Sequence, residues 1–211
     1  RAEKAGLMRI LLTGASGLFG LNFASAFSGE HDITGVVNQH LLVETPFEVI
    51  QVELSKAGAG SALVEQTHPD LIINCAALAN LDTCESMPDL AQRLNADLPA
   101  ELALAARKCN AKLVHFSTDA VFDGQRGNYD ETDEPSPINV YSQSKLAGEA
   151  AVLAANPAAI VARVNFYGFS LFGQRSLAEF FVYSLLGGKK VMGFTDVFFC
   201  PLHVNQLGET L

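Results

Sequence analysis

Three glycines set between an apolar run and a helical pattern constrain this chain more than any other feature. Residues 8–13, Met-Arg-Ile-Leu-Leu-Thr, are short, apolar and ended by glycine, and they read as a buried strand. Gly14-Ala-Ser16-Gly17-Leu18-Phe19-Gly20 follows at once. Leu18, Leu21, Phe23 and Phe27 then recur at helical spacing. The glycines therefore sit between a strand and a helix, the context in which such a motif is informative. The spacing G-x-x-G-x-x-G is one residue longer in its first gap than G-x-G-x-x-G, but the mechanics carry over. Gly14 permits the tight turn, and Gly17 lets a pyrophosphate approach the backbone. Gly20 lets the helix pack closely, and the helix N-terminus favours phosphate charge. A plain tight turn would use the same glycines, so the rest of the chain has to agree.

It does. Residues 32–38, 47–52, 71–75, 111–117 and 159–164 read as further strands, with helical patterns between several of them. The expectation is an α/β fold, a Rossmann-like doubly wound parallel sheet. The second strand ends in Asn38-Gln39-His40, with no carboxylate to repel a 2′-phosphate and no arginine to grip one. NAD and NADP both stay open, with a lean to NADP. Glu53-Leu54 closes the third strand, where a side chain could face an adenine ring. The small residues of Asn74-Cys75-Ala76-Ala77 would let a cofactor lie on the backbone; ordinary tight packing explains them equally well. Residues 86–107 read as one long helix with Ser86 as N-cap, interrupted by Pro99. Proline lacks an N–H, so the Asn95 carbonyl loses its usual partner. That carbonyl could hold a water leading towards Lys145, or Pro99 could be a packing kink. Helices are also expected at 175–186 and from Val204 to Leu211.

The chemistry concentrates in residues 115–145. Ser117-Thr118-Asp119 ends the fifth strand, at the edge where open α/β sheets bind ligands. Tyr141 and Lys145 are four residues apart on a helix, about one turn, so they share a face. A phenol with a reference pKa near ~10 is a poor acid–base catalyst at neutral pH. A neighbouring ammonium favours the phenolate and brings that value down. Thr118 could hydrogen-bond the phenol or a carbonyl oxygen. The trio has the parts to protonate a carbonyl while hydride arrives from elsewhere. The acidic, Gly- and Pro-containing segment 123–137 reads as a surface loop beside this cleft.

Composition removes several classes. With 49 % hydrophobic and 18 % charged residues the chain has a globular profile. A formal net charge of −9 argues against nucleic acid or an anionic membrane as a general partner. No apolar run approaches the ~20 residues of a membrane helix, and no signal-peptide pattern is present, so a cytoplasmic location is expected. The four cysteines form no C-x-x-C pair and the five histidines no metal signature. Reduced thiols and no metal site are expected.

The segments 14–20, 74–77, 81–86, 94–99, Ser-Thr-Asp-Ala-Val-Phe-Asp-Gly (117–124) and Pro-Ile-Asn-Val-Tyr-Ser-Gln-Ser-Lys-Leu-Ala-Gly-Glu (137–149) carry a resemblance. From about residue 8 to 211 the chain resembles the extended short-chain dehydrogenase/reductases, and among them the dTDP-4-dehydrorhamnose reductases. The resemblance implies NAD(P)H binding and hydride transfer to a nucleotide-linked 4-keto-6-deoxy sugar. Tyr141 would be the proton donor, Lys145 would hold the nicotinamide ribose, and Thr118 would tune the tyrosine and touch the sugar. Gly14, Ser16, Gly17, Leu18, Phe19 and Gly20 fall in the pyrophosphate loop. Asn38, Glu53 and Leu54 fall at the adenosine end, and Cys75, Ala76 and Ala77 beside the cofactor. Asp119 and Phe166 would join Thr118 on the substrate side. Ala120, Ala79 and Phe166 replace the tyrosine, threonine and frequent tryptophan of that family, which leaves the sugar open. The resemblance divides the chain into a nucleotide-binding domain, 8–190, and the beginning of a substrate-binding region, 191–211, most of which this sequence lacks. It also allows a homodimer. The alternatives are a nucleotide-sugar epimerase or dehydratase, or a non-catalytic NADP-binding regulatory subunit like that of methionine adenosyltransferase.

Overall fold

A computed structural model describes residues 6–170, 176–198 and 200–211. Six short strands, β1 (Arg9–Thr13), β2 (Asp32–Val37), β3 (Glu48–Gln51), β4 (Leu71–Asn74), β5 (Lys112–Ser117) and β6 (Ile160–Arg163), form one parallel sheet in the order β3-β2-β1-β4-β5-β6. Parallel neighbours need crossovers, so helices cover both faces and the strands are apolar on both sides. Successive β1 residues divide between the layers. Ile10 and Leu12 join Phe19 and Phe23 of α1 (Leu18–Phe27). Leu11 joins Leu63 of α2 (Ala59–Thr67) and Leu98 and Leu102 of α5 (Leu98–Cys109). The doubly wound, Rossmann-like expectation holds.

The long helix expected at 86–107 is divided. Asn80, not Ser86, caps a first helix, α3 (Leu81–Ser86), accepting the Thr83 N–H at 2.8 Å. Ser86 is its last residue, and its hydroxyl bonds the Thr83 carbonyl. The reason is Pro88. A residue before proline is pushed from the α region, and Met87 sits at φ −135°, ψ 63°. Pro88 then starts α4 (Pro88–Gln92), where its missing N–H costs nothing. Residues Arg93–Asp97 form a π-helical stretch in which the Leu98 N–H reaches back to Arg93. Pro99 is taken up in the first turn of α5. The Asn95 carbonyl faces α6 (Val140–Ala155) so closely that a Cβ on Gly148 would collide with it.

Beyond β6, β7 (Phe166–Tyr167) pairs with β8 (Leu202–His203). Ser176 caps α7 (Leu177–Leu186); Arg175, the first residue of the helix expected there, lies outside the described residues. The final helix, α8 (Val204–Thr210), returns to the core: Val204 and Leu207 are buried in the α1 layer. By contrast α7 leaves Phe180, Tyr183, Leu185 and Leu186 exposed. Among the described residues no helix is long and apolar enough to cross a membrane.

Candidate active site

The carboxyl ends of β1, β4 and β5 meet at one edge. Gly14 turns out of β1 at φ +72°, a conformation glycine adopts without a steric penalty. A side chain there would also sit 2.9 Å from the Ala76 nitrogen. A Cβ on Gly20 would collide with the Gly14 carbonyl and lie 2.8 Å from the Ala15 Cα. The turn therefore presses α1 onto the end of β1, as the glycine spacing implies. Gly17 occupies the N-cap with no side-chain cap, so the first N–H groups of α1 have no partner in the helix. Ser16 and Leu18 are half-buried at this turn, whereas the Phe19 ring is a core ring, 4.6 Å from Phe116. What Phe19 can offer a ligand is its backbone.

At the far side of this edge Asn38 and Glu53 meet, with Asn38 Nδ2 3.4 Å from Glu53 Oε1. The Ser55 hydroxyl donates to the same carboxylate at 2.7 Å, and these bonds hold it below its ordinary pKa. Leu54 is only 6 % exposed and packs in the α2/α5 layer. Burial in that layer, rather than an open face towards a ligand, is what its apolar side chain achieves.

On the catalytic side, α6 begins with a capping box. Asn139 accepts the Ser142 N–H at 2.8 Å, and the Ser142 hydroxyl accepts the Asn139 N–H at 3.3 Å. This sets Tyr141 in the first turn and Lys145 one turn on. Lys145 is 3 % exposed and donates to the Phe116 carbonyl at 2.5 Å. Burial pushes its pKa down to about 8. Burial pushes Tyr141 up, and Cys84 and Asp119 add to that; the Thr118 hydroxyl pulls it back through a hydrogen bond. The expectation that the ammonium lowers the phenol is thus corrected: the downward pull comes from Thr118, while Lys145 is tied to the strand. Thr118 also caps a 3₁₀ turn, Asp119–Val121, accepting the Ala120 N–H at 3.1 Å. Asp119 is held by Asn165 at 2.6 Å.

Cys75 and Ala76 lie beside the Gly14 turn, and Ala77 follows them. The Cys75 thiol is pushed well above the usual range by burial. Phe166 packs its ring against Phe19 and Phe116, at 6.0 and 6.1 Å. That aromatic cluster accounts for its apolar ring. Among the described residues no three His, Cys, Asp or Glu side chains form a metal-binding group.

Two polar networks escaped sequence reading. Thr13 donates to Asn74 at 2.6 Å and accepts the Ala76 N–H at 3.2 Å, while Asn74 contacts His115 Nδ1 at 2.9 Å. This chain crosses β1, β4 and β5 beneath the edge. Glu149, 5 % exposed, takes the Ser117 hydroxyl and a two-pronged bond from Arg163, the closest at 2.6 Å. Glu149 stands four residues beyond Lys145 and eight beyond Tyr141, so helical spacing placed it on their face; that was the available signal. Arg163, fourteen residues further on, gave none.

The family model described as RmlD substrate binding domain matches residues 8–211. The chain is 33 % identical to a probable low-salt glycan biosynthesis reductase of Haloferax volcanii, over 96 % of this chain and 69 % of that protein. It is 37 % identical to dTDP-4-dehydrorhamnose reductase of Mycobacterium tuberculosis, over 74 % of this chain and 49 % of that one. It is equally 37 % identical to methionine adenosyltransferase 2 subunit beta of Pongo abelii, over 74 % and 46 %. The matches thus span about half the length of the mycobacterial and mammalian relatives. A hypothetical dTDP-4-dehydrorhamnose reductase from Sulfolobus tokodaii superposes with a TM-score of 0.84 at 30 % identity, covering 96 % of this chain and 70 % of its own. The Bacillus anthracis dTDP-4-dehydrorhamnose reductase, solved in complex with NADP, gives 0.76 at 28 %, covering 98 % and 70 %. With its parallel six-stranded sheet, its glycine turn and a match from residue 8 to 211, this chain belongs to the RmlD substrate binding domain family.

Proposed function

We propose that this protein is an NAD(P)H-dependent reductase of a nucleotide-linked 4-keto-6-deoxy sugar. The observation that carries the reading is the convergence of Thr118, Tyr141 and a buried Lys145 on the sheet edge that also holds the glycine turn. The residues fit a dinucleotide. The Gly14–Gly20 turn offers backbone where side chains would collide, Asn38 and Glu53 suit the adenosine end, with Glu53 beside the adenine, and Lys145 suits the nicotinamide ribose. The Bacillus relative's complex with NADP supports the choice of cofactor, and the lack of a carboxylate at Asn38 leans the same way. When bound, the nicotinamide supplies hydride.

The chain's own residues manage the proton. Raised by burial, the Tyr141 phenol is protonated at neutral pH and can give its proton to a carbonyl oxygen. Thr118 orients that phenol and favours the tyrosinate through its hydrogen bond, while Lys145 is held at the strand end by the Phe116 carbonyl. Ala120, next to Asp119, offers no second base, which favours reduction over epimerisation or dehydration. We place the nucleotide-binding part at 8–190 and the start of the substrate region at 191–211. The test is oxidation of NADPH and NADH with dTDP-4-dehydrorhamnose and with other nucleotide-linked 4-keto-6-deoxy sugars; consumption of any supports the reading, and absence of consumption with all of them, saturating cofactor bound, overturns it.

The likeness to methionine adenosyltransferase 2 subunit beta favours a second reading, a regulatory subunit that binds NADP without turning over a sugar. Cofactor binding without consumption, together with capture of a methionine adenosyltransferase catalytic subunit, would decide for it.

A further inference from the structure

Glu149 is a buried carboxylate that the proton chemistry above does not use. It joins three elements: its own helix α6, the end of β5 through the Ser117 hydroxyl, and the end of β6 through Arg163. Ser117 directly precedes Thr118, and Glu149 lies one helical turn beyond Lys145 on the same face. Arg163 also stacks over Phe122, 5.1 Å from its ring centre, and Phe122 stacks on Tyr129 at 4.4 Å. The loop leaving Thr118 is thereby pinned to the same carboxylate.

We propose that Glu149 is a positioning residue for the reductase centre: it fixes the Ser117–Thr118 end of β5 and supplies the negative charge that keeps the buried Lys145 ammonium protonated. The proposal rests on the reductase reading for its purpose, but not for its test. The titratable groups acting on Lys145 are few. Cys75, from the segment after β4, is a neutral thiol because burial holds it there, so it brings no charge. His115, on β5, is kept neutral by burial and by Lys145 itself. Cys84 of α3 and Asp119 after β5 act on Tyr141. With that thiol neutral, the carboxylate that opposes the burial of Lys145 is Glu149, one helical turn away and ion-paired with Arg163.

A clamp without electrical effect would hold the strands equally well, so the experiment has to separate the two. Side-chain NMR titration of lysines in the ligand-free protein reads Lys145 directly, its signal identified by its loss in Lys145→Met. The parent midpoint is expected at about 8. Glu149→Gln alone would leave Arg163 unpaired and cationic, which itself repels Lys145. The deciding variant is therefore Glu149→Gln with Arg163→Gln, which removes both charges and leaves no unpaired buried ion. Its Lys145 midpoint should fall by on the order of half to one pH unit, and Glu149→Asp, which keeps the charge, should restore most of the difference. A midpoint equal to the parent's in the double variant overturns the proposal. Where Glu149→Gln alone fails to fold, the double variant still carries the test. Absence of sugar turnover would sink the reductase reading and leave this titration standing.

Discussion

The two halves of the sheet edge are built from opposite materials. Around β1 and α1 the chain, Thr13 apart, buries carbon and offers backbone: Leu11, Leu12, Ala15 and Phe19 are buried, and the features that matter are the places where a side chain is missing. Around β5, β6 and α6 it buries polar and charged groups, with His115, Ser117, Thr118, Lys145 and Glu149 all buried. Shape alone can hold a cofactor. Moving a proton requires groups whose charge can change, and these must be desolvated to be tuned. The first half should thus respond to volume and the second to charge.

The largest effect on stability should come from volume. Gly20→Ala places a methyl against the Gly14 carbonyl and the Ala15 Cα, backbone atoms that cannot step aside. A loss of about 3 kcal/mol is expected in chemical denaturation; a loss near zero would mean that the turn is looser than the geometry implies. Lys145→Met probes the other half and should act with the opposite sign. The folded lysine has a pKa of about 8 against an ordinary 10.5. Between these values the unfolded chain binds more protons than the folded one, so folding gains stability as pH rises through that window. The methionine variant should therefore be more stable than the parent below about pH 8, with the difference narrowing above it. Paired melts at pH 7 and pH 10 check the sign. Smaller again is Asn139→Ala, which removes the α6 cap and should cost about 1 kcal/mol. At the lower end, Arg9→Ala breaks an ion pair with Asp70 whose side chains are 50 % and 45 % exposed. It should cost only a few tenths of a kcal/mol and less in high salt.

The first half was the more legible in sequence, for a physical reason. A short apolar strand followed by glycines at fixed spacing is a local pattern, and Gly14 and Gly20 do in the structure what that pattern requires. Strands β2 to β6 were legible for the same reason. The second half depends on contacts far apart in sequence. The Tyr141–Lys145 spacing was local and could be read, but the bond that ties Lys145 to Phe116, the pair Glu149–Arg163 and the chain Thr13–Asn74–His115 are tertiary. The helix start expected at Ser86 fails because Pro88, two residues on, pushes Met87 out of the α region and breaks the helix there. Leu54 and Phe166 were read by position along the chain, and burial placed their side chains in the core or an aromatic cluster.

The division of labour is tested most directly by Tyr141→Phe, with NADPH affinity and sugar-dependent NADPH oxidation measured on the same preparation. The expected result is affinity within about threefold of the parent, since the glycine turn and Lys145 are untouched, and turnover reduced ~10²–10⁴-fold by loss of the general acid. Turnover equal to the parent's, or cofactor affinity lost together with turnover, would contradict it.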